Sequence, residues 1–133
     1  MTTRTTIPDS HADLLDGPNT AVLTTVGADG QPQSTAVWVL RDTDGIVKTS
    51  ITTDRQKYKN LVGNPKATLF VLDPTNPYRT IEIRATVDLV PDPAKALLPV
   101  FADKYGVPLE ALTQAGGDRV VATLNPARVV ANG

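Results

Sequence analysis

The chain contains no cysteine, so a disulfide framework and a thiolate metal site are both excluded. Its single histidine, His11, stands near the N-terminus and reads as an exposed helix residue. That leaves no Ser-His-Asp or Cys-His mechanism and no His-rich metal site. Neither a P-loop (GxxxxGK followed by Ser or Thr) nor a GxGxxG fingerprint occurs. No run of about 18 apolar residues is present, and the opening MTTRTTIPDSHADLLDGP lacks the apolar stretch of a signal peptide, so a cytoplasmic chain without a membrane partner is expected. Charge of one sign is also missing: 13 Lys and Arg stand against 14 Asp and Glu. A broad nucleic-acid face needs a basic surplus, and none is expected here. Asp42 and Asp44 fall in turn sequence, where backbone capping accounts for them. With catalytic side chains this scarce, any reactivity is expected to come from a bound cofactor.

What is present is strand-forming sequence. A chain of 133 residues with 41% hydrophobic content suits one domain, residues 1–133, with residues 1–19 as a helical, mobile N-terminal segment. Within that segment residues 10–16 form one or two helical turns, with Ser10 as cap and Leu14 and Leu15 facing inward. TAVLTTV (20–26) and QSTAVWVL (33–40), joined by GADGQP, read as a hairpin, and GIVKTSI (45–51) as a third strand. KATLFVLD (66–73) is nearly all apolar and is expected to be buried on both faces. The loop DPTNPYR (73–79) ends it. TIEIRATVDLV (80–90) alternates, Ile81, Ile83 and Ala85 to one side and Glu82, Arg84 and Thr86 to the other. Asp92 before Pro93 marks a helix start, Pro99 a kink and Gly106 a stop. PLEALTQ (108–114) then leads through Gly116 and Gly117 to a last strand, RVVATLNPARVVA, broken near Asn125 and Pro126. The sum is a mainly β fold with inserted helices: a six-stranded antiparallel barrel of Greek-key type.

One stretch resists that structural reading. TSITTDRQKYKNLVGNPKA (49–67) gathers Arg55, Lys57, Lys59 and Lys66 with one acid, Asp54. Asp54 reads as an N-cap and Gly63-Asn64-Pro65 as a stop, so the cations occupy the first turns of a short helix. Helix N-termini carry positive partial charge and favour acids. Cations there are misplaced unless an anion joins them, and a phosphate held by backbone N–H groups is the usual candidate.

The order of these features resembles the split β-barrel flavin and deazaflavin oxidoreductases, the pyridoxamine 5'-phosphate oxidase-like superfamily. The resemblance rests on AVLTTVGADGQPQSTAVWV, TSITTDRQKYKNL and NPKATLFVLDPTNPYRTIEIRATV, and runs from about Thr20 to Arg128. NPYRTIEIRA and the short C-terminus are most similar to the small members that use the deazaflavin F420. The resemblance implies a homodimer with the cofactor at the subunit interface and a small-molecule substrate. It implies that Arg55 and Lys57 grip the cofactor phosphate, with Lys59 and Asn60 adjacent. The ring would rest against Ser34, Thr35, Ala36, Val37 and Trp38 and against Thr49, Ser50 and Ile51. Pro77, Tyr78 and Arg79 would reach over the site from the partner subunit. The implied reaction is hydride transfer from reduced F420 to an electron-poor enone, quinone or similar molecule, with no catalytic side chain assigned. The alternatives are an FMN-binding oxidoreductase of the same fold and a non-enzymatic F420 or flavin carrier.

Each residue has a second reading. Arg55, Lys57 and Lys59 would serve as a solvated helix face. Trp38 would serve as plain core. Tyr78 and Arg79 would pin a proline-rich loop, and Glu82 and Arg84 form a same-face ion pair. Two departures from the family pattern matter. The chain ends NPARVVANG without the Arg and His residues of the vitamin B6 oxidases, and Ala85 stands where relatives often have Gly, narrowing the space beside that strand.

Overall fold

The computed structural model describes residues 4–113 and 117–133. Gln114 of the expected PLEALTQ helix and Gly116 of the following turn lie outside the described residues. Seven antiparallel strands form one sheet in the order β2-β1-β5-β6-β7-β4-β3: β1 (Ala21–Val26), β2 (Pro32–Val37), β3 (Leu40–Arg41), β4 (Val47–Thr52), β5 (Lys66–Asp73), β6 (Asn76–Pro91) and β7 (Arg119–Asn132).

That order forces curvature. Strands β2 and β3 lie at opposite edges of the sheet, yet only Trp38 and Val39 join them. A flat sheet of this order would separate its edges by about 29 Å, six spacings of about 4.8 Å. Three Cα steps span at most about 11 Å. The sheet therefore curls until its edges meet, giving a split barrel whose seam lies at Trp38 and Val39. Thr49 of β4 crosses beside the seam, its hydroxyl donating to the Trp38 carbonyl at 2.7 Å.

The interior is filled by alternate residues of the long strands. Leu23, Leu69, Ile81, Ile83, Ala122 and Leu124 are each 1% exposed or less. Burial of each large aliphatic side chain stabilises the fold by about 1.5–3 kcal/mol. The alternation of Ile81, Ile83 and Ala85 holds as expected. β5 does not bury both faces: Ala67, Leu69 and Val71 point inward, while Leu72 is 46% exposed. Its outer face continues through Phe70, paired across the ladder with the exposed Val22.

Other expectations are corrected by non-local contacts. Asn76, Pro77, Tyr78 and Arg79 belong to β6, because the reversal is made by Pro74 and Thr75 and the chain resumes pairing at Asn76 opposite Asp73. β7 runs unbroken through Asn125 and Pro126, with a register shift opposite Arg84 and Ala85 absorbing the proline. Ala85 faces the core at that irregularity. The helix expected at Asp92 begins later: Asp92 accepts from the backbone N–H of Ala96 in a preceding turn, and α3 spans Leu98–Tyr105. Pro99 therefore sits in its first turn, where a missing N–H is harmless, and makes no kink. Gly106 ends α3 in the left-handed conformation at φ 66°, and α4 (Leu109–Thr113) follows. Among the described residues, no helix is long and apolar enough to cross a membrane.

From Arg4 onward the N-terminal segment packs against the barrel. A 3-10 turn (Asp9–His11) and α1 (Asp13–Asp16) place Leu14 and Leu15 in the core at 2% and 0% exposure. Ser10 makes no cap. His11, expected to be exposed, is buried: its Nε2 donates to the Asn132 carbonyl at 2.8 Å, and its Nδ1 accepts from the Ser10 hydroxyl. Arg4 adds a bond from its carbonyl to the Val129 N–H at 2.7 Å.

Candidate functional site

The basic stretch folds into α2 (Gln56–Gly63), with Arg55 at the N-cap position and no side chain capping it. Asp54 is thus one residue too early to cap, and its side chain is exposed. The first turn of α2 contains no acid. A buried polar clamp fixes this helix against the sheet. Asn60 donates to the Thr25 hydroxyl at 3.0 Å and to Gln33 Oε1 at 2.9 Å, and accepts from Gln56 at 2.9 Å. Asn60 is therefore spent on holding α2 in place.

The clamp aims Lys57 into a cleft of about 330 Å³ beside the barrel seam. Ala36, Val37 and Trp38 line it from one side of the seam, and Thr49 and Ser50 from the other. Lys57 Nζ has a single polar contact, the Thr35 hydroxyl at 3.4 Å. Burial, with the nearby Arg55 adding to it, pushes the Lys57 pKa below the ordinary lysine value. Among the described residues, no carboxylate pairs with it. A half-buried cation without a counter-charge is costly in an unliganded protein and suited to an incoming anion.

The cleft also has an apolar wall, made by Leu98 and Phe101 of α3 and by Leu112 of α4. Trp38 stacks on Tyr105 with ring centroids 4.3 Å apart and planes 6° from parallel. Tyr105 is itself fixed, its hydroxyl donating to the Asn19 carbonyl at 2.9 Å and accepting from the Val39 N–H at 3.1 Å. Trp38 is thus neither loose nor plain core: it is a braced aromatic wall.

The remaining predicted residues divide. Ser34 bonds to the Thr24 hydroxyl on the outer face of the hairpin. Ile51, 2% exposed, points into the core and not into the cleft. Arg55 and Lys59 are exposed flanks of α2. Pro77, Tyr78 and Arg79 do not line the cleft of their own chain, and Tyr78 is 85% exposed. Arg79 is not a free cation: it pairs with Asp13 and Asp73 and donates to the Ser10 carbonyl. Those two acids raise its pKa and leave it no charge to spare for a ligand. Glu82 and Arg84 form the expected same-face ion pair. The cleft also contains Thr20, the apolar residues of α3 and α4, and Arg119. Arg119 was invisible as a site residue because it opens an otherwise ordinary strand; its register opposite Thr52 brings it to the cleft.

The chain matches the pyridoxamine 5'-phosphate oxidase family over residues 7–132. A solved structure named F420 reductase is 35% identical, covering 93% of this chain and 98% of its own, with a TM-score of 0.80. A conserved hypothetical protein from Mycobacterium tuberculosis is 22% identical over 99% of this chain and 89% of its own, with a TM-score of 0.76. HutZ, the haem storage protein from Vibrio cholerae, is 17% identical over 96% of each chain, with a TM-score of 0.75. The last two bear on the fold alone. No curated protein matches the sequence.

Proposed function

The chain belongs to the pyridoxamine 5'-phosphate oxidase family, and on that premise we propose that it is an F420H2-dependent reductase, acting on an electron-poor enone, quinone or similar small molecule. The observation that carries this reading is Lys57, a half-buried cation with one weak hydroxyl contact and, among the described residues, no acid, in a cleft that joins an aromatic and aliphatic wall of Trp38, Leu98 and Phe101 to the polar Ser50 and Arg119. Such a cleft suits a ligand with a flat apolar part and an anionic part. Reduced deazaflavin supplies the hydride when bound, so the absence of a catalytic triad is no obstacle.

The chain's own residues supply position. Lys57, with Arg55 at the rim, holds the phosphoryl group. Trp38, braced by Tyr105, and Ala36 give the ring a fixed wall, and Leu98 and Phe101 keep water from the apolar end. The choice of F420 over FMN draws on the similarity to the structure named F420 reductase; the phosphate grip itself suits either cofactor. Haem storage, the role named for HutZ, finds no free imidazole here, because both ring nitrogens of the sole histidine, His11, are bonded within the fold.

We assign the active form to a homodimer. The outer apolar row of Val22, Phe70 and Leu72, exposed at Val22 and Leu72 and half-covered at Phe70, offers a surface for a second copy, and Pro77 and Tyr78, outside the cleft of their own chain, would then approach the partner's.

Titration of the purified protein with F420 and with FMN, followed by Trp38 fluorescence, tests the cofactor; Trp38 is the only tryptophan. Tight FMN binding with no F420 response overturns the deazaflavin assignment. Oxidation of reduced F420 by a panel of enones, quinones and nitro compounds tests turnover. Binding without any oxidation identifies a carrier instead. A cofactor-loaded monomer at micromolar concentration in sedimentation excludes the shared site.

A further inference from the structure

Arg119 opens β7 and pairs across the ladder with Thr52, two residues after Ser50 and three before Arg55. Its side chain reaches the same cleft as Lys57. There Nη2 donates to the Leu112 carbonyl at 2.8 Å, and Nη1 approaches the Ser50 hydroxyl at 3.4 Å. A guanidinium carries five N–H donors in a rigid plane, so these two contacts leave most of its donors unspent.

The other arginines with close acids differ. Arg41 pairs with Asp16, Arg79 with Asp13 and Asp73, and Arg84 with Glu82. Arg119 has no carboxylate partner among the described residues, although it is partly buried. Its burial, and next the neighbouring Arg55, lower its affinity for the proton. Lys57 and Arg119 thus line the same cleft, and Arg55 lies near each of them. Arg55 opposes the charge of both side chains, the weaker pull of Asp54 and Asp92 offsets part of this at Arg119, and an anion bound in the cleft would relieve the rest.

We infer that Arg119 is a further cofactor-binding residue: with Lys57 and Ser50 it receives the cofactor's phosphoryl oxygens, while its bond to Leu112 holds α4 as a wall of the same cleft. This rests on the proposed phosphorylated flavin or deazaflavin ligand. A phosphoryl group offers several acceptor oxygens, which allows a planar arginine contact from one side and a lysine contact from another. The helix N-terminus then supplies only part of the grip. The rest arrives from a strand more than fifty residues further along the chain.

The competing explanation is that Arg119 only ties α4 to the barrel. Ligands with and without the phosphoryl group separate the two. Dissociation constants are measured by equilibrium dialysis for F420 and FMN, and for their phosphate-free counterparts, the deazaflavin lacking its phosphoryl tail and riboflavin. The proteins are wild type, Arg119→Gln and Arg119→Lys, each full length and checked for folding by circular dichroism. Arg119→Gln is expected to lose about ten- to hundredfold for the phosphorylated cofactor and under about threefold for its phosphate-free counterpart. Arg119→Lys, which keeps the charge without the planar fork, falls between. Equal losses for both ligands, or none for either, overturn the inference and leave the cofactor assignment standing. If Arg119→Gln does not fold, the same selectivity is read from Arg119→Lys. A wild type that binds none of the four ligands overturns the cofactor assignment, and this inference with it.

Discussion

Lys57 and Lys104 are both half-buried, and burial lowers the pKa of each, yet their surroundings are opposite. Lys104, near the end of α3, donates to the carbonyls of Leu15 and Val39, both at 2.5 Å. It thereby ties α1, α3 and the barrel seam together. Lys57 has a hydroxyl at 3.4 Å and nothing more. Desolvation of an ammonium costs much the same in either place, so the difference lies in what offsets it. At Lys104 the fold itself supplies the acceptors. At Lys57 the described residues supply only the distant Thr35 hydroxyl, which is the property expected of a group reserved for a ligand. Arg79 and Arg119 repeat the contrast: two acids surround the first, and none pairs with the second. Burial by itself therefore does not mark a functional cation here; burial without a partner does.

Replacing Lys104 is the strongest way to break this comparison. Lys104→Met removes the ammonium donor from the Leu15 carbonyl and leaves the Val39 carbonyl only the longer contact from the Tyr105 hydroxyl at 3.2 Å. It is expected to cost about 1–3 kcal/mol, seen as a lower urea midpoint. A variant as stable as wild type would show that the carbonyl contacts carry nothing, and the two lysines would no longer differ in kind. Lys57→Met comes next. It is expected to weaken cofactor binding by about 1.5–3 kcal/mol while leaving the apo protein unchanged or more stable by about 0.3–1 kcal/mol. Clear destabilisation of the apo protein with unaltered affinity would make Lys57 structural.

Arg55→Ala sharpens the picture with a smaller effect. Because Arg55 is exposed at the rim, its loss is expected to weaken binding by about 0.5–1 kcal/mol, shrinking as salt is raised. A larger loss than at Lys57 would move the phosphoryl group out of the cleft. The smallest effect concerns pH. Lys57 has a folded pKa below the ordinary 10.5. Between those values the unfolded chain binds more protons than the folded one, so apo stability rises with pH as 10.5 is approached. Lys104 contributes in the same direction. Only the difference between wild type and Lys57→Met in the pH profile of melting isolates Lys57. Cofactor binding changes the other way, weakening over that window as the ammonium is lost. A pH profile identical in the two proteins would show that Lys57 titrates as an ordinary surface lysine.

Much of this architecture is written in local pattern. The alternation of Ile81, Ile83 and Ala85 marks the inner face of β6, the apolar block at 66–73 has the bounds of β5, and Gly106 stops α3. The cluster of Arg55, Lys57 and Lys59 is visible too, because like charges in the first turns of a helix contradict its dipole wherever the helix is placed. These signals survive because they depend only on neighbours one to four residues apart.

The tertiary structure decided the rest, for reasons of distance. The meeting of β2 and β3 at Trp38 and Val39 depends on a strand order that no short window contains. The burial of His11 depends on the Asn132 carbonyl, 121 residues away. Pro77, Tyr78 and Arg79 look like loop by composition and become strand because Asp73 pairs with Asn76. The sequence by itself determined where charge and alternation occur. Which cations are left without an acid was decided by folding, since Asp13 and Asp73 reach Arg79 while, among the described residues, no acid pairs with Lys57 or Arg119. A counter-charge acts through space, and only the closed barrel sets which charges are near enough to act.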